Sequence, residues 1–480
     1  MLYALLGLLG LISFVLFLLR WQLLLPALIL FLPLVGALIL WSDQAPLFLL
    51  AKDLLYVLPL YVAVFLLRPQ LLQGSPIPPW LTLTVVVLAL VVLLQMMNPG
   101  VVSIGMAVIG AKVWLLYIPL AYVVAAAVRT PADMVRLLRV MVAIAPVPCV
   151  IGLSQWGLSE AVGYREALTD FYGDAAAGAT QNFTQFDMGG TIRRIPSTFT
   201  NSASYFVFTL ATLSAALALQ AMDWSRTWRM ATRGIIVLLV IAGLLSGMRA
   251  AFVFMPILLM IYALISGRGI GAIAGALVVV VLAFGFFYIT GFDADGLAEG
   301  VATHTGRYQE ADFSWVQFSY ALEVSPFGQG TGTNTVAARY AAEGLTQAEL
   351  TSLGGYEVQF AKTVHELGVF GLVPFMILMG GLLARVLGGT LRMVDSRFRR
   401  AHAAFGAFLV IIFLYFFKAW VIDVDPGNVF YWLYVGLLYR VAQFNRVAAR
   451  AQQAAPGPGR QPLARPAPIL RRDAPTSPRG

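Results

Sequence analysis

Apolar residues in this chain do not alternate with polar ones or keep to one helical face. They run on for the thickness of a bilayer and then stop. About 20 consecutive apolar residues cross the hydrocarbon as a helix, and a sliding window of that size predicts spans at 2–19, 22–41, 47–67, 80–97, 109–128, 135–155, 201–221, 233–248, 250–266, 270–290, 363–387, 403–421 and 427–443. The pattern therefore predicts an all-α polytopic membrane protein of about 12–13 transmembrane helices, because only a helix satisfies its own backbone in lipid. Asn98, Pro99 and Gly100 interrupt the pattern, so part of 101–110 is expected to be interfacial or re-entrant.

Two polar interruptions stand out, at 156–200 and 291–362. Ordinary connections are about 4 to 6 residues, and much longer ones are functional or disordered. The second carries His304, Arg307, Trp315, Glu323, Arg339 and Glu357, and its aromatic turns around Phe313, Trp315, Phe318 and Tyr320 predict an ordered cap. The basic residues Arg20, Arg68, Arg129, Arg136, Arg139, Arg226, Arg229, Arg233, Arg268, Arg392, Arg397, Arg399 and Arg400 all fall on one side of the alternation, which identifies the cytoplasmic face and places both loops outside. The expected organisation is N-terminal spans over 1–155, an external loop 156–200, spans over 201–290, a large external loop 291–362, C-terminal spans over 363–443, and a disordered basic cytoplasmic tail over 444–480.

Composition supports this class: 60% of the residues are hydrophobic and 11% charged. The formal charge of +9 sits mostly in short loops and the tail, where it sets orientation and does not imply nucleic acid. A single cysteine, Cys149, excludes an intrachain disulfide and a Cys/His metal cluster. The run 2–19 has no preceding basic region and no small-residue cleavage site, so it is expected to be a retained span. No repeat of 20 to 50 residues and no matched pair of broken helices is visible, in contrast to many secondary transporters.

Candidate chemistry lies at the edges of the external segments. Arg193 and Arg194 precede a span, Arg249 stands in the tight hairpin Leu245-Ser-Gly-Met-Arg249, and Arg307 is on the long loop. Each alone could anchor in the headgroups. Three separate external segments sharing the same feature point to a shared anion, since guanidinium binds pyrophosphate through planar paired hydrogen bonds and keeps its charge. Glu357 and His365 are candidate acid–base groups: a helix beginning by about Tyr356 would align Glu357, Ala361 and His365 on one stripe at the membrane mouth. The alternative is an ordinary helix start with polar residues in the headgroup zone. The turn Ser325-Pro-Phe-Gly-Gln-Gly-Thr-Gly332 is expected to let backbone approach a ligand. Lys52 and Asp53 could pair near the end of their span, and no grouping of acidic residues suggests a metal site.

Taken together, Arg194-Ile-Pro-Ser-Thr-Phe-Thr-Asn201, Leu245-Ser-Gly-Met-Arg249, Arg307 followed by Trp315, Pro326-Phe-Gly-Gln-Gly330, and Glu357 leading to Glu366-Leu-Gly-Val-Phe-Gly371 resemble the motifs of the bacterial O-antigen ligase and O-antigen polymerase superfamily, over roughly residues 185 to 385. The resemblance implies a GT-C-like fold in the bacterial inner membrane with the large loops in the periplasm. It implies metal-independent, cofactor-free glycosyl transfer from an undecaprenyl pyrophosphate-linked oligosaccharide, with a chain-length regulator as a further partner. Arg193, Arg194, Arg249 and Arg307 would bind pyrophosphate, and Glu357 or His365 would activate the acceptor. Ligases of the superfamily usually carry a histidine about ten positions before the Glu-Leu-Gly-like stretch, where this chain has Gly355-Tyr-Glu357, and that difference favours a polymerase. A ligase and a transporter of lipid-linked sugars are the alternatives.

Overall fold

The computed structural model describes residues 2–42, 46–174, 193–267, 314–335 and 355–454, with the single positions 275, 277 and 281. Among these the regular elements are helical and none is a strand. Helix α1 (Leu2–Arg20) meets α2 (Leu24–Trp41) through a 3-10 turn at Trp21–Leu23, so that Ala4–Trp41 forms one 38-residue apolar stretch in place of two separate windows. The apolar run Asp53–Leu66 mixes π and α turns. Then come α3 (Pro79–Gln95), α4 (Ile104–Leu115) and α5 (Leu120–Ala127), the last two bent by 42° against each other. The break at Asn98, Pro99 and Gly100 falls between α3 and α4, and Ser103 restarts the helix by accepting a hydrogen bond from Met106 N at 3.1 Å.

Helices α6 (Pro131–Ile144) and α7 (Pro146–Val162) run together, opened by a reciprocal cap in which Thr130 Oγ1 accepts from Asp133 N and Asp133 Oδ2 accepts from Thr130 N at 2.9 Å. The start of the expected loop 156–200 is therefore helical, and it continues into the short amphipathic α8 (Tyr164–Tyr172). The remaining helices are α9 (Ser202–Met222), α10 (Arg226–Leu244), α11 (Arg249–Ser266), α12 (Ser314–Val324), α13 (Gln359–Leu391), α14 (Ser396–Tyr415) and α15 (Gly427–Ala454). Helix α15 runs on past 444, where the tail was expected to begin, because 444–454 is rich in Ala, Gln and Arg, which favour the helix.

Among the described residues six helical segments are long and apolar enough to cross a membrane, or seven if α4 and α5 make one bent span. This is the all-α organisation of a multi-pass membrane protein. The difference from thirteen windows is one of length and polarity: Asp53–Leu66, α3 and Ala250–Ser266 are apolar but shorter, α15 carries Arg440, Asn445 and Arg446, and the window 270–290 lies outside the described residues save three positions.

Helix α9 is the centre. Nearly all of it is buried, and its many Ala, Ser and Thr side chains let α6, α10, α14 and α15 approach closely. Ser214 Oγ, for example, donates across to Ala404 O of α14 at 2.6 Å. The bundle has two unlike ends. At one, the turns carrying the expected cytoplasmic arginines meet: Arg139 grips Asp223 at 2.7 and 2.9 Å, Arg397 lies 4.8 Å from the ring of Trp224, and Asn445 accepts from Val394 N and Asp395 N. At the other end lie the Arg193–Arg194 segment, the hairpin before α11 and the first turns of α13.

The Arg139–Asp223 pair has a pH signature. Burial alone would push the Asp223 carboxyl up, but the hydrogen bonds from Arg139 and from Ser225 N prevail and hold it below its usual range. A lowered folded-state value stabilises the fold above about pH 4, the ordinary carboxylate range, and that stabilisation is lost as pH falls through the folded value. Asp223→Asn is therefore expected to lower the melting temperature of the purified protein at pH 7 by roughly 1 to 2 °C. The gap from wild type should close as pH is brought below about 4; a pH-independent gap would contradict this origin.

Candidate active site

Residues 193–201 come first, since they carry two of the candidate arginines. Ile195 N donates to Ser246 O at 3.0 Å, tying this segment to the α10–α11 hairpin. The turn needs glycine: Gly247 has φ +72°, and a Cβ there would lie 2.1 Å from Arg193 O. Thus Arg193 and Arg194 lie beside the hairpin whose next helix, α11, opens on Arg249. Their side chains differ. Arg193 is used in the scaffold, donating to Ser159 and pairing with Glu160 at 3.0 Å at the end of α7. Arg194 is half-buried, its carbonyl accepts from Tyr164 OH at 2.6 Å, and burial pulls its guanidinium below the usual value against the opposing effect of Tyr415 and Tyr164. Behind them Gln155 is fully buried, accepts from Ser197 N at 2.9 Å and donates to Tyr172 OH at 2.9 Å, fixing the segment against α7 and α8.

The second part of the site is built on a broken helix. Within α13, Gly368 has φ +67° and ψ −171°, which no helix accommodates. The turn Ser325–Gly332 fills the break: Gln329 N donates to His365 O at 2.7 Å, Gly330 N to Glu366 O at 3.2 Å, and Val369 N to Pro326 O at 2.9 Å. The backbone groups that the break releases are thus satisfied by another strand of chain, as the interior of a membrane protein requires. A Cβ on Gly368 would lie 2.5 Å from Phe327 C. Gly328 thus admits the backbone of α13, while Gly330 and Gly332 lie close against Val101 and Met106 at the α3–α4 break.

Around the break lies an ionic network whose members are scattered along the sequence. Glu366 is fully buried; its Oε2 accepts from Trp114 Nε1 at 2.6 Å, and its Oε1 accepts from Asn334 N at 2.8 Å and Thr335 Oγ1 at 3.0 Å. Lys362, one turn earlier and equally buried, contacts Asp423 directly, donates to Thr335 Oγ1 at 3.0 Å and lies 3.8 Å from Glu366. Burial pushes the Asp423 carboxyl up to about 6, and Lys362 opposes that shift. Two residues on, Asp425 reaches Lys52 at 2.7 Å, which sits 3.3 Å from Asp53; Asp53 in turn takes Lys112 at 2.6 Å and Tyr117 OH at 2.7 Å. The expected Lys52–Asp53 pair is real but belongs to this larger set. Its legible signals were Lys112 alone in an apolar window and Lys362 with Glu366 at the i, i+4 spacing.

His365 and Glu357 fall unequally at this place. His365 is half-buried, its ring 5.0 Å from that of Tyr356 and its Nδ1 3.3 Å from Ser325 Oγ. Glu357 is exposed and precedes the helix, which starts at Gln359, so the expected stripe of Glu357, Ala361 and His365 does not exist. The cause is local. Gln317 Oε1 on α12 accepts from both Glu357 N and Val358 N, at 3.0 and 3.2 Å, and Asn334 ties both backbone groups of Tyr356, which together hold this segment extended. His304 and Arg307 lie outside the described residues. Among those described, no group of three or more His, Cys, Asp or Glu is placed to hold a metal ion.

The two parts share one end of the bundle through α14. Tyr415 bears on Arg194, Phe416 O accepts from Gln359 N at 3.1 Å, and Phe417 O accepts from Ser314 Oγ at the start of α12. Removing one partner of a buried ion pair leaves the other uncompensated and costs about 3 to 5 kcal/mol, whereas removing both costs much less. Lys362→Met should therefore destabilise by about that amount, and Lys362→Met with Asp423→Asn should recover a large part of it. Thermal unfolding of both variants in detergent checks this; a double variant no more stable than the single one would contradict the pairing. Comparison with models of known protein families finds no match, and comparison with curated proteins finds no significant relative.

Proposed function

We propose that this chain is a polytopic glycan polymerase with a GT-C-like arrangement of about 12–13 spans. On this reading it elongates an undecaprenyl pyrophosphate-linked oligosaccharide at the outer face of the bacterial inner membrane, by inverting glycosyl transfer without metal or cofactor. The observation that carries the reading is the hydrogen bond from Ile195 N to Ser246 O, at 3.0 Å. It brings the Arg193–Arg194 segment beside the Arg249 hairpin, at the bundle end that also holds the Gly368 break and His365.

Arg194 and Arg249, joined by Arg307 from the long loop, would neutralise the leaving pyrophosphate, where fixed positive charge lowers the barrier as negative charge develops. Arg193, committed to Ser159 and Glu160, would hold the segment in place. For the acceptor hydroxyl there are two candidate bases. His365 has the better-fixed surroundings, between Tyr356 and Ser325, while Glu357 is exposed at the mouth and free to meet an incoming sugar. A chain-length regulator would be the protein partner. Transfer to a different lipid or protein acceptor, the ligase activity, would use the same groups.

A transporter of lipid-linked sugar is the second reading, and the ionic set of Lys52, Lys112, Lys362, Asp53, Glu366, Asp423 and Asp425, of which Lys52, Asp53, Lys362 and Glu366 are buried, is the observation in its favour, because ionisable groups inside a membrane protein often mark a path. The pairing of these ions with one another suits a structural role equally well.

Charge reversal distinguishes the readings. Arg194→Glu and Arg249→Glu should each lower elongated glycan by at least about a hundredfold, the cost of losing an electrostatic contact made in the transition state, while membrane insertion and yield stay near wild type. Gel analysis of glycan length from cells or membranes carrying each variant is the measurement. Normal polymer length and amount in either variant would sink the assignment.

A further inference from the structure

At the opposite, arginine-rich end of the bundle, α3, α13 and α15 line an open cleft of about 490 Å³. Its walls include Trp80, Ile377, Gly381, Arg385, Tyr439 and Arg446, and no carboxylate. The ring of Trp80 lies directly across Gly381, where a Cβ would come within 2.4 Å of it. Arg385 lies 5.6 Å from the Tyr439 ring. Its Nε and the Tyr439 hydroxyl are both buried and have no hydrogen-bond partner among the described residues.

Two further arginines, Arg392 and Arg446, add like charge to Arg385. The carboxylate of the nearby turn, Asp395, is already taken by Arg397 at 3.1 Å. A half-buried guanidinium beside like charges, with a buried donor left over, is costly unless an anion completes it. The planar fork and the tyrosine hydroxyl suit the oxygens of a phosphate.

The rest of the surroundings is apolar and open to the side. Ile377 is 54% exposed, and Val373, Leu387 and Leu83 on the same two helices are exposed as well. Such a flank suits hydrocarbon. A free phosphate would use the arginines alone, whereas a lipid phosphate would use both halves of the cleft.

We propose that this cleft binds the phosphate of an anionic phospholipid, its headgroup on Arg385 and Arg446 and its chains along the exposed apolar flank of α3 and α13. The site is independent of the proposed transfer chemistry. It makes this end of the bundle sensitive to the anionic lipid content of the leaflet that meets it.

The test uses the full chain purified in detergent, titrated separately with dioleoylphosphatidylglycerol, dioleoylphosphatidylcholine and inorganic phosphate. Bound molecules are counted by native mass spectrometry, and melting temperature is followed in parallel. Phosphatidylglycerol should be retained at one molecule per chain and raise the melting temperature, phosphatidylcholine should bind at least roughly fivefold more weakly, and inorganic phosphate should not saturate at comparable concentration. Arg385→Gln and Arg446→Gln should each weaken phosphatidylglycerol retention by roughly five- to tenfold. Arg446 is exposed, so its variant decides the matter even if Arg385→Gln folds poorly. Retention unchanged in Arg446→Gln, or equal retention of both lipids, overturns the site; saturation by inorganic phosphate at the same affinity overturns the lipid.

Discussion

The carboxylate of Glu366 is the constraint on which the candidate site depends. It sits in α13 two residues before the break at Gly368, fully buried, and takes hydrogen bonds from α4 through Trp114 and from the inserted loop through Asn334 N and Thr335. Lys362 extends the connection to Asp423, and the same short segment reaches Lys52 through Asp425. The Glu366 charge thus joins α13, α4 and the 334–335 segment, and in a low-dielectric interior none of them can move away without leaving a polar group unsatisfied. The break in α13, the inserted turn and the extended segment before Gln359 are all held by this arrangement.

Breaking a helix inside an apolar bundle exposes backbone groups that lipid cannot satisfy. Here the turn at 326–330 replaces the missing bonds, which fixes the mouth of the bundle as a rigid platform. Such fixing would serve the proposed transfer. A site that stabilises developing negative charge does so best when its donors are already in place before reaction, and the tie between Ile195 and Ser246 keeps the Arg194 segment beside the Arg249 hairpin in the same manner.

The membrane class, the breaks at Asn98–Gly100 and the positions of most helices were legible in the sequence, because hydrophobic length and Pro–Gly punctuation are local properties. The meeting of the turns that carry Arg139 and Arg397 at one end follows from the same alternation. Span number was not. Whether Trp21–Leu23 separates two crossings or continues one stretch depends on the geometry of a single turn, and a window average cannot see it. The start of α13 was misplaced by a few residues because Gln317 and Asn334, distant in sequence, hold 356–358 extended. The ionic network was hidden for the same reason: Lys112, Lys362, Asp423 and Asp425 look scattered along the chain, and only tertiary packing gives them to one another. The glycine-rich turn is legible as a place of close backbone approach, and Gly328 meets the backbone of Gly368 and Glu366.

The proposed transfer of sugar from a lipid pyrophosphate has a direct measurement. The purified chain is supplied with an undecaprenyl pyrophosphate-linked repeat unit as sole substrate, and the products are resolved by mass and by the NMR configuration at the newly formed linkage. The expected products are released undecaprenyl pyrophosphate and a longer lipid-linked glycan whose new bond is inverted relative to the donor. Recovery of the substrate chemically unchanged, from protein shown to be folded, would contradict it.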